Sequence, residues 1–393
     1  MQSSTRRLAA AATGIAATAV TVSLPLTATG AAAATEGAAP ATTAAQSSRR
    51  DVGGPLLASP GIIVNYPSRR ALRLPKVPAS AYVIADASSG QVLAAKDPHG
   101  LFPPASTLKV LTAITMIPRL NPDATVVATR LAASVQPNVV GLIPGHRYLV
   151  ADLFRALLMI SANDAAVSLV QASGSFGQGM ALMNAEAHHL QAYDVVAKQP
   201  NGLPAPGQVV SAYDLALIAR QALSLPAFLR YDSTLAARFP ITRRKRVTLV
   251  NQNYLLTQYS GGIGGKIGWT VKAEATYVGL ASRHGVTLIV TILHCAPLTE
   301  IHSAERLLDW GFAMVGKVRP VGVLVPPLPT AARPKAHSRA GTNSRGAGAA
   351  GQAGRARGSQ PGRIAAGAGL AAVLCVVVLG GLAWLRRRLA RSA

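Results

Sequence analysis

Three short stretches carry side chains suited to nucleophilic acyl transfer. In PPASTLKVLTAI, Ser106 and Lys109 are three residues apart. On a helix that spacing puts both on one face and brings the ammonium within reach of the hydroxyl. A serine hydroxyl attacks a carbonyl only when a base takes its proton. A lysine serves as that base only when burial lowers its pKa from the ordinary ~10.4. Apolar Leu108, Val110 and Leu111 supply such surroundings, and a helix N-terminus further disfavours the ammonium. Taken alone the pattern is weak. About one Ser-x-x-Lys is expected by chance in a chain this long, and a helix-start serine with an exposed lysine would look the same.

The second stretch is Ser161-Ala162-Asn163, a polar break between two apolar runs. A hydroxyl and an amide two residues apart on a turn can face one cleft, the first relaying a proton and the second holding a substrate amide. Capping of a helix from Ala165 by Ser161, Asn163 or Asp164 is the competing local use, and Asp164 is expected to be only a cap. The third stretch is Lys266-Ile267-Gly268 in GGIGGKIGWT. A lysine on a strand at the cleft edge offers a fixed cation for an anionic substrate group, and Gly268 would let the substrate backbone come close. A surface lysine on an edge strand is the plainer reading.

The surrounding elements must bring these three stretches together. AYVIADASSGQVLAA reads as strand, Ser-Ser-Gly turn, strand, and TYVGLASRHGVTLIVTIL as a hairpin turning at Arg283–Gly285. Helices are expected at PPASTLKVLTAITMI, ADLFRALLMI, DAAVSLVQASG, Tyr213 to Leu223 and TEIHSAERLLDWGFAMV. Strands at both ends of the region with helices between them predict an α/β fold: an antiparallel sheet flanked by helices, with a helical subdomain.

The formal charge of +24 invites a nucleic-acid reading, but its distribution argues against one. Residues 76–330 carry 21 basic and 13 acidic residues; the flanks carry 18 and 2. Most of the excess thus lies outside the folded body, and neither zinc-finger spacing nor an RNA-binding aromatic signature is present. The two cysteines, Cys295 and Cys375, fall in different segments, so the body has no internal disulfide and Cys295 is expected as a buried small side chain. The eight histidines form no metal-binding motif.

Both flanks read as targeting segments. Residues 1–34 have Arg6 and Arg7 before an Ala-rich apolar run, the pattern of a secretory signal peptide. Residues 35–75 read as a flexible stalk, 76–326 as the catalytic body and 327–363 as a basic disordered linker. Residues 364–385 are 22 uncharged residues, about 33 Å as a helix against a ~30 Å hydrocarbon core. Arg386, Arg387 and Arg388 in the tail 386–393 would place that end in the cytoplasm and the body outside the cell membrane.

Each of the three motifs occurs once, in the order Ser106, Ser161, Lys266, and their contexts are longer than the motifs. AYVIADASSGQVLAA, PPASTLKVLTA, GLIPGHRYLVADLFRALLMISANDAAVSL, PNGLPAPGQVVSAYDLALIARQAL and GGKIGWTVKAEATYVGLA together resemble the serine-type D-alanyl-D-alanine carboxypeptidases. These are the low-molecular-weight penicillin-binding proteins of peptidase family S11. The resemblance runs over roughly residues 78–326 and implies a DD-peptidase/β-lactamase-like fold. It implies that Ser106 attacks the bond between the two terminal D-Ala residues of a peptidoglycan stem peptide, with Lys109 as base. It further implies that Ser161 and Lys266 carry protons to the leaving D-Ala and that Asn163 positions the acyl chain. The backbone N–H groups of Ser106 and Trp269 would form the oxyanion hole, and β-lactams would acylate Ser106. No metal or other cofactor is implied.

Two positions depart from the family pattern. Ile267 stands where a threonine is usual and lacks its hydroxyl for the substrate's terminal carboxylate; Thr270, Lys266 or Arg283 would have to compensate. Pro204 follows Asn201-Gly202-Leu203 where an acidic residue is frequent. The neighbouring classes are an anchored β-lactamase and a catalytically weak or inactive relative with a regulatory or wall-binding role. A β-lactamase needs a second base, and Glu186 in EAHHL, the one Glu between the second and third motifs, does not fit that part.

Overall fold

The structure, a computed structural model, describes residues 52–329. The expected signal peptide, the transmembrane helix, nearly all of the linker and the cytoplasmic tail lie outside the described residues. Among the described residues no helix is long and apolar enough to cross a membrane.

The described residues form eleven strands: β1 (Ile62–Ile63), β2 (Ala79–Asp86), β3 (Gln91–Lys96), β4 (Thr125–Val127), β5 (Arg147–Leu149), β6 (Ala236–Pro240), β7 (Arg246–Val250), β8 (Gly262–Thr270), β9 (Glu274–Arg283), β10 (Val286–Cys295) and β11 (Gly322–Val323). The main sheet has seven strands in the order β1-β3-β2-β10-β9-β8, with β11 also on β3. Its pairs are antiparallel. β4 with β5 and β6 with β7 form two small separate hairpins.

Side-chain alternation explains how one sheet serves two cores. Along β10, Leu288, Val290 and Ile292 face the closing helix Glu300–Met314, where Leu307, Leu308 and Trp310 pack. Ile289 and Leu293 face the other side, a larger core that includes Ile114, Leu153 and Ile218. With both faces covered, the central strands read as near-continuous apolar runs. Ala212–Leu223 packs directly on the second face, against β2 and β10, and Lys109–Met116, Val150–Met159, Asn163–Ala172 and Phe176–His189 build the larger core beyond it. The expected antiparallel sheet flanked by helices is therefore what forms. Cys295 is buried, with its sulfur near the Thr299 and Ser303 hydroxyls.

The body begins earlier than expected. Residues 52–75 belonged to the expected stalk, yet β1 pairs with β3, and Val64, Tyr66, Ala71 and Leu74 pack on the core under the closing helix. The Trp310 indole N–H donates to the Leu72 carbonyl at 3.0 Å. The scattered apolar residues of this segment have no period of their own because they fill gaps on a surface made elsewhere. A buried polar clasp holds its start. The two ring nitrogens of His99 are engaged by the Asp194 carboxylate at 2.8 Å and the Val52 carbonyl at 3.1 Å. Asp214 accepts from the Asp194 backbone N–H at 2.7 Å.

Candidate active site

The nucleophile turn is a 3-10 helix, Ala105–Leu108, leading directly into the α-helix Lys109–Met116. In 3-10 geometry residues i and i+3 eclipse, which stacks Lys109 over Ser106 more directly than an α-helix would. Two hydroxyls fix the turn: Thr107 and Thr276 both donate to the Pro104 carbonyl, at 2.6 and 2.9 Å. Thr276 is on β9, so the sheet itself holds the turn in place.

Lys109 is fully buried, and its amine touches three oxygens: Ser106 Oγ at 2.8 Å, Asn163 Oδ1 at 2.7 Å and the Asn201 carbonyl at 2.8 Å. The Asn163 amide is oriented by its own donation to the Gln136 carbonyl at 2.8 Å, which fixes Oδ1 toward the lysine. Burial pushes the Lys109 pKa well below the ordinary lysine value, the Lys266 cation lowers it further, and Asp164 opposes weakly. A neutral amine has two hydrogens and one lone pair. Two of its three partners are oxygens that only accept, so they take the hydrogens. The lone pair is left for the one partner that can donate, the Ser106 hydroxyl. The arrangement is that of a base hydrogen-bonded to its nucleophile.

Ser161 sits at the break between the helices Val150–Met159 and Asn163–Ala172, with φ +62°. That backbone is unfavourable for a non-glycine residue. It is held by Asn138, whose amide donates to the Ile160 carbonyl at 2.5 Å, and by the Ala162 N–H on the Ala156 carbonyl at 3.0 Å. Asp164 does more than the expected capping: its Oδ1 accepts from the Ala165 N–H in the first turn of the helix at 2.9 Å. Its buried carboxylate also accepts from the backbone N–H groups of Val140, Gly141 and Leu142 at 2.9–3.0 Å, pinning the loop that carries Pro137 and Asn138 to the cleft. The N-cap residue itself, Ala162, makes no side-chain cap bond.

A cavity of about 200 Å³ joins these parts; Ser106, Ser161, Asn163, Ile267, Gly268, Trp269 and Thr270 all line it. Two glycines permit the assembly. A Cβ on Gly202, at φ +80°, would fall 1.7 Å from the Ala105 carbonyl oxygen, so the Asn201 carbonyl reaches Lys109 only because residue 202 lacks a side chain. A Cβ on Gly268 would stand 2.7 Å from the Ser106 nitrogen. Gly268 is buried, and its expected role changes accordingly: it lets β8, an edge strand, press against the nucleophile turn. Trp269 is 58% exposed at the mouth.

Lys266 also differs from expectation. It does not line the cavity: it is 2% exposed, and its ammonium donates to the Ile267 carbonyl at 2.7 Å. Burial pulls its pKa to about 7, opposed by the buried carboxylate of Asp232. Asp232 is itself pushed up to about 7 by burial, and the Gly265 N–H and Lys266 pull it back. Arg283 is removed from the cleft altogether. It stacks between Tyr259 and Phe312 and pairs with Asp309 at 3.1 Å. Thr270 Oγ1 accepts from the Ala273 N–H at 3.0 Å, which leaves its proton free to donate into the cavity. Pro204 lies in an adjoining hollow that shares Gly202 and Thr270 with the cavity.

Sequence reasoning missed Asn201, Asp232 and Glu300. Asn201 acts through its carbonyl, which any residue supplies, though the Asn-Gly pair was a usable turn signal. Asp232 comes from the distant helix Pro226–Asp232, and Glu300 from the start of the closing helix.

Residues 68–296, more than half of the chain, match the D-alanyl-D-alanine carboxypeptidase family, peptidase family S11. The chain is 38% identical over 247 residues to D-alanyl-D-alanine carboxypeptidase DacB2 of Mycobacterium tuberculosis, covering 61% of this chain and 84% of that one. It is 26% identical over 242 residues to DacF of Bacillus subtilis, spanning 60% of this chain and 62% of the relative's length. A crystal structure of a D-alanyl-D-alanine carboxypeptidase from Mycobacterium tuberculosis superposes with a TM-score of 0.63 at 36% identity, over 66% of this chain and 99% of that one. A Streptomyces DD-transpeptidase superposes with a TM-score of 0.58 at 26% identity, over 62% of this chain and 100% of its own. The sheet, the helices over it and the buried lysine at the nucleophile turn all accord with that match, and the chain belongs to the D-alanyl-D-alanine carboxypeptidase family, with the fold of the penicillin-binding DD-peptidases.

Proposed function

We propose that the protein is a serine-type D-alanyl-D-alanine carboxypeptidase acting on peptidoglycan stem peptides through a Ser106 acyl-enzyme. The observation that carries this reading is the set of three oxygens around the Lys109 amine. Ser106 Oγ attacks the carbonyl carbon of the penultimate D-Ala while its proton passes to Lys109. The developing oxyanion is met by the backbone N–H of Ser106, in the first turn of its helix where such groups lack helical acceptors, and by that of Trp269. Ser161 passes a proton to the departing nitrogen. Lys266 lies behind the wall and biases that proton transfer electrostatically. Asn163, fixed by Gln136 and Lys109, presents its amide to the acyl chain. Water then attacks the ester, with Lys109 again taking a proton. A β-lactam enters the same first step and forms the same ester. Glu186 pairs with Arg119 at 3.5 Å and does not line the cavity, which disfavours a β-lactamase reading.

Ile267 supports a slow enzyme on free D-Ala ends. A hydrogen bond to a charged group contributes about 1.5–3 kcal/mol, so Ile267→Thr is expected to raise kcat/KM for D-Ala release by about 10- to 100-fold. Release of D-Ala from an acyl-D-Ala-D-Ala peptide measures it, and a fall would refute this account of Ile267.

Export and tethering are part of the proposal and rest on the composition of residues 1–34 and 364–385. A chain truncated after residue 363 is expected to move penicillin-labelled protein from the membrane pellet to the soluble fraction. Retention in the pellet would argue against the anchor.

A further inference from the structure

The cavity has two ends. At one, Gly202 and Thr270 lead into the hollow beside Pro204 and Lys272. At the other, Gln252, Ile267 and Glu300 open into a second cavity of about 450 Å³ that includes His302 and Glu305. The second end is walled by Ile267, the chain neighbour of Lys266, and is where the leaving residue lies in the hydrolysis proposed above, a reading on which this inference rests.

A leaving D-Ala with a free carboxylate needs a cation or several donors at that end. The wall offers no cation there; its neutral polar residues at that end are Gln252 and Ser161. Ile267 has no hydroxyl, and the Lys266 ammonium is buried against the Ile267 carbonyl. Glu300 is the one charged side chain among the thirteen residues that line the catalytic cavity, and it is an acid. As the first residue of its helix, Glu300 complements the helix N-terminus, which accounts for an acid there. It does not account for its placement on the cavity wall, nor for Glu300 Oε2, which is enclosed without a hydrogen-bond partner among the described residues. Glu305, in the adjoining cavity, is engaged with His302 at 3.3 Å, so its charge is partly answered while that of Glu300 is not.

We propose that this end selects a leaving residue presenting an N–H donor, a carboxamide or an amine, where free D-Ala presents a carboxylate. The favoured bond is then a D-alanyl amide inside amidated or cross-linked peptide rather than at a free chain end. Ser106 Oγ bonds to the D-Ala carbonyl carbon and the bond to the leaving nitrogen breaks. The Ser106 proton, carried by Lys109 and Ser161, goes to that nitrogen, which departs as an amine. Water resolves the ester and restores the serine.

The test uses an acylated L-Lys-D-Ala-D-Ala peptide and the same peptide ending in carboxamide, with kcat/KM measured from the released amine. The wild-type protein is expected to favour the carboxamide by at least tenfold, Glu300→Gln to narrow that ratio, and Glu300→Lys to reverse it. A wild-type preference for the free acid overturns the proposal, whether or not the variants fold. So does a ratio unchanged in a folded Glu300→Lys. The mass of the Ser106 acyl-enzyme is followed in parallel. Its absence with both peptides would overturn the hydrolase reading itself, whereas its presence with an unfavourable ratio would overturn only the role of Glu300.

Discussion

Incubated with a fluorescent penicillin, the purified protein is expected to carry the label covalently, and Ser106→Ala is expected to carry none. D-Ala release should fall by about 10⁴-fold or more, because a nucleophile and its base act as one unit and removing either forfeits most of the chemical step. The substitution is conservative for the fold. Ser106 is only partly buried, and its side-chain hydrogen bond is the one to Lys109. Denatured-gel fluorescence and intact mass measure the result. Label retained in Ser106→Ala would move the nucleophile elsewhere and remove the basis for the proposed mechanism. Labelling of the wild type is expected to be slow, since a penicillin carries a carboxylate and the cavity's charged wall residue is Glu300.

The second large effect is expected at Lys109. Lys109→Met keeps the length and apolar stem and deletes the base, and loss of positioned general-base catalysis costs typically 10²–10⁴-fold in rate. The variant leaves Asn163 Oδ1 and the Asn201 carbonyl without the amine, at about 1–3 kcal/mol for each buried unsatisfied group. Removal of a desolvated amine offsets part of that, so a folded protein with a modestly lowered Tm is expected. The acylation rate against pH gives a further check on the wild type. A base must be deprotonated to act, so the rate falls as pH drops through the folded-state pKa of Lys109. Burial holds that pKa well below the ordinary lysine value. The acidic limb should therefore lie well below pH 10 and be absent in Lys109→Met. Acylation by the variant within about threefold of the wild type would assign the base to another group.

Much of the site was legible because it depends on local spacing. Ser106 with Lys109, and Ser161 with Asn163, are each set by one turn of backbone, so three residues of sequence carry the geometry. The strand and helix assignments around them follow from alternation and amphipathic period, and the sheet order then needed only antiparallel neighbours. Residues 52–75 were misread as stalk because packing onto a surface built by other segments leaves no period in the sequence. The capping expected of Asp164 covered only part of its role, for a related reason. Its other partners, Val140 to Leu142, are more than twenty residues away, and the same carboxylate can cap a helix or pin a loop.

By itself, then, the sequence determined the chemical identities: a serine three residues before a lysine, a hydroxyl and an amide at a helix break, and an isoleucine where a hydroxyl would be useful. Whether those groups are reactive was decided only by tertiary structure, because reactivity depends on solvent exclusion and on partners supplied from afar. The Lys109 pKa falls because the core closes around it, and its lone pair faces Ser106 because Asn163 and the Asn201 carbonyl take its hydrogens. Lys266 is drawn behind the wall by the packing of β8 against the nucleophile turn, which Gly268 allows. Glu300, thirty-three residues beyond Ile267, reaches the same cavity because the closing helix folds back across the sheet. Charge at the leaving-group end is a sum over side chains distant in sequence, and only the fold brings them to one place.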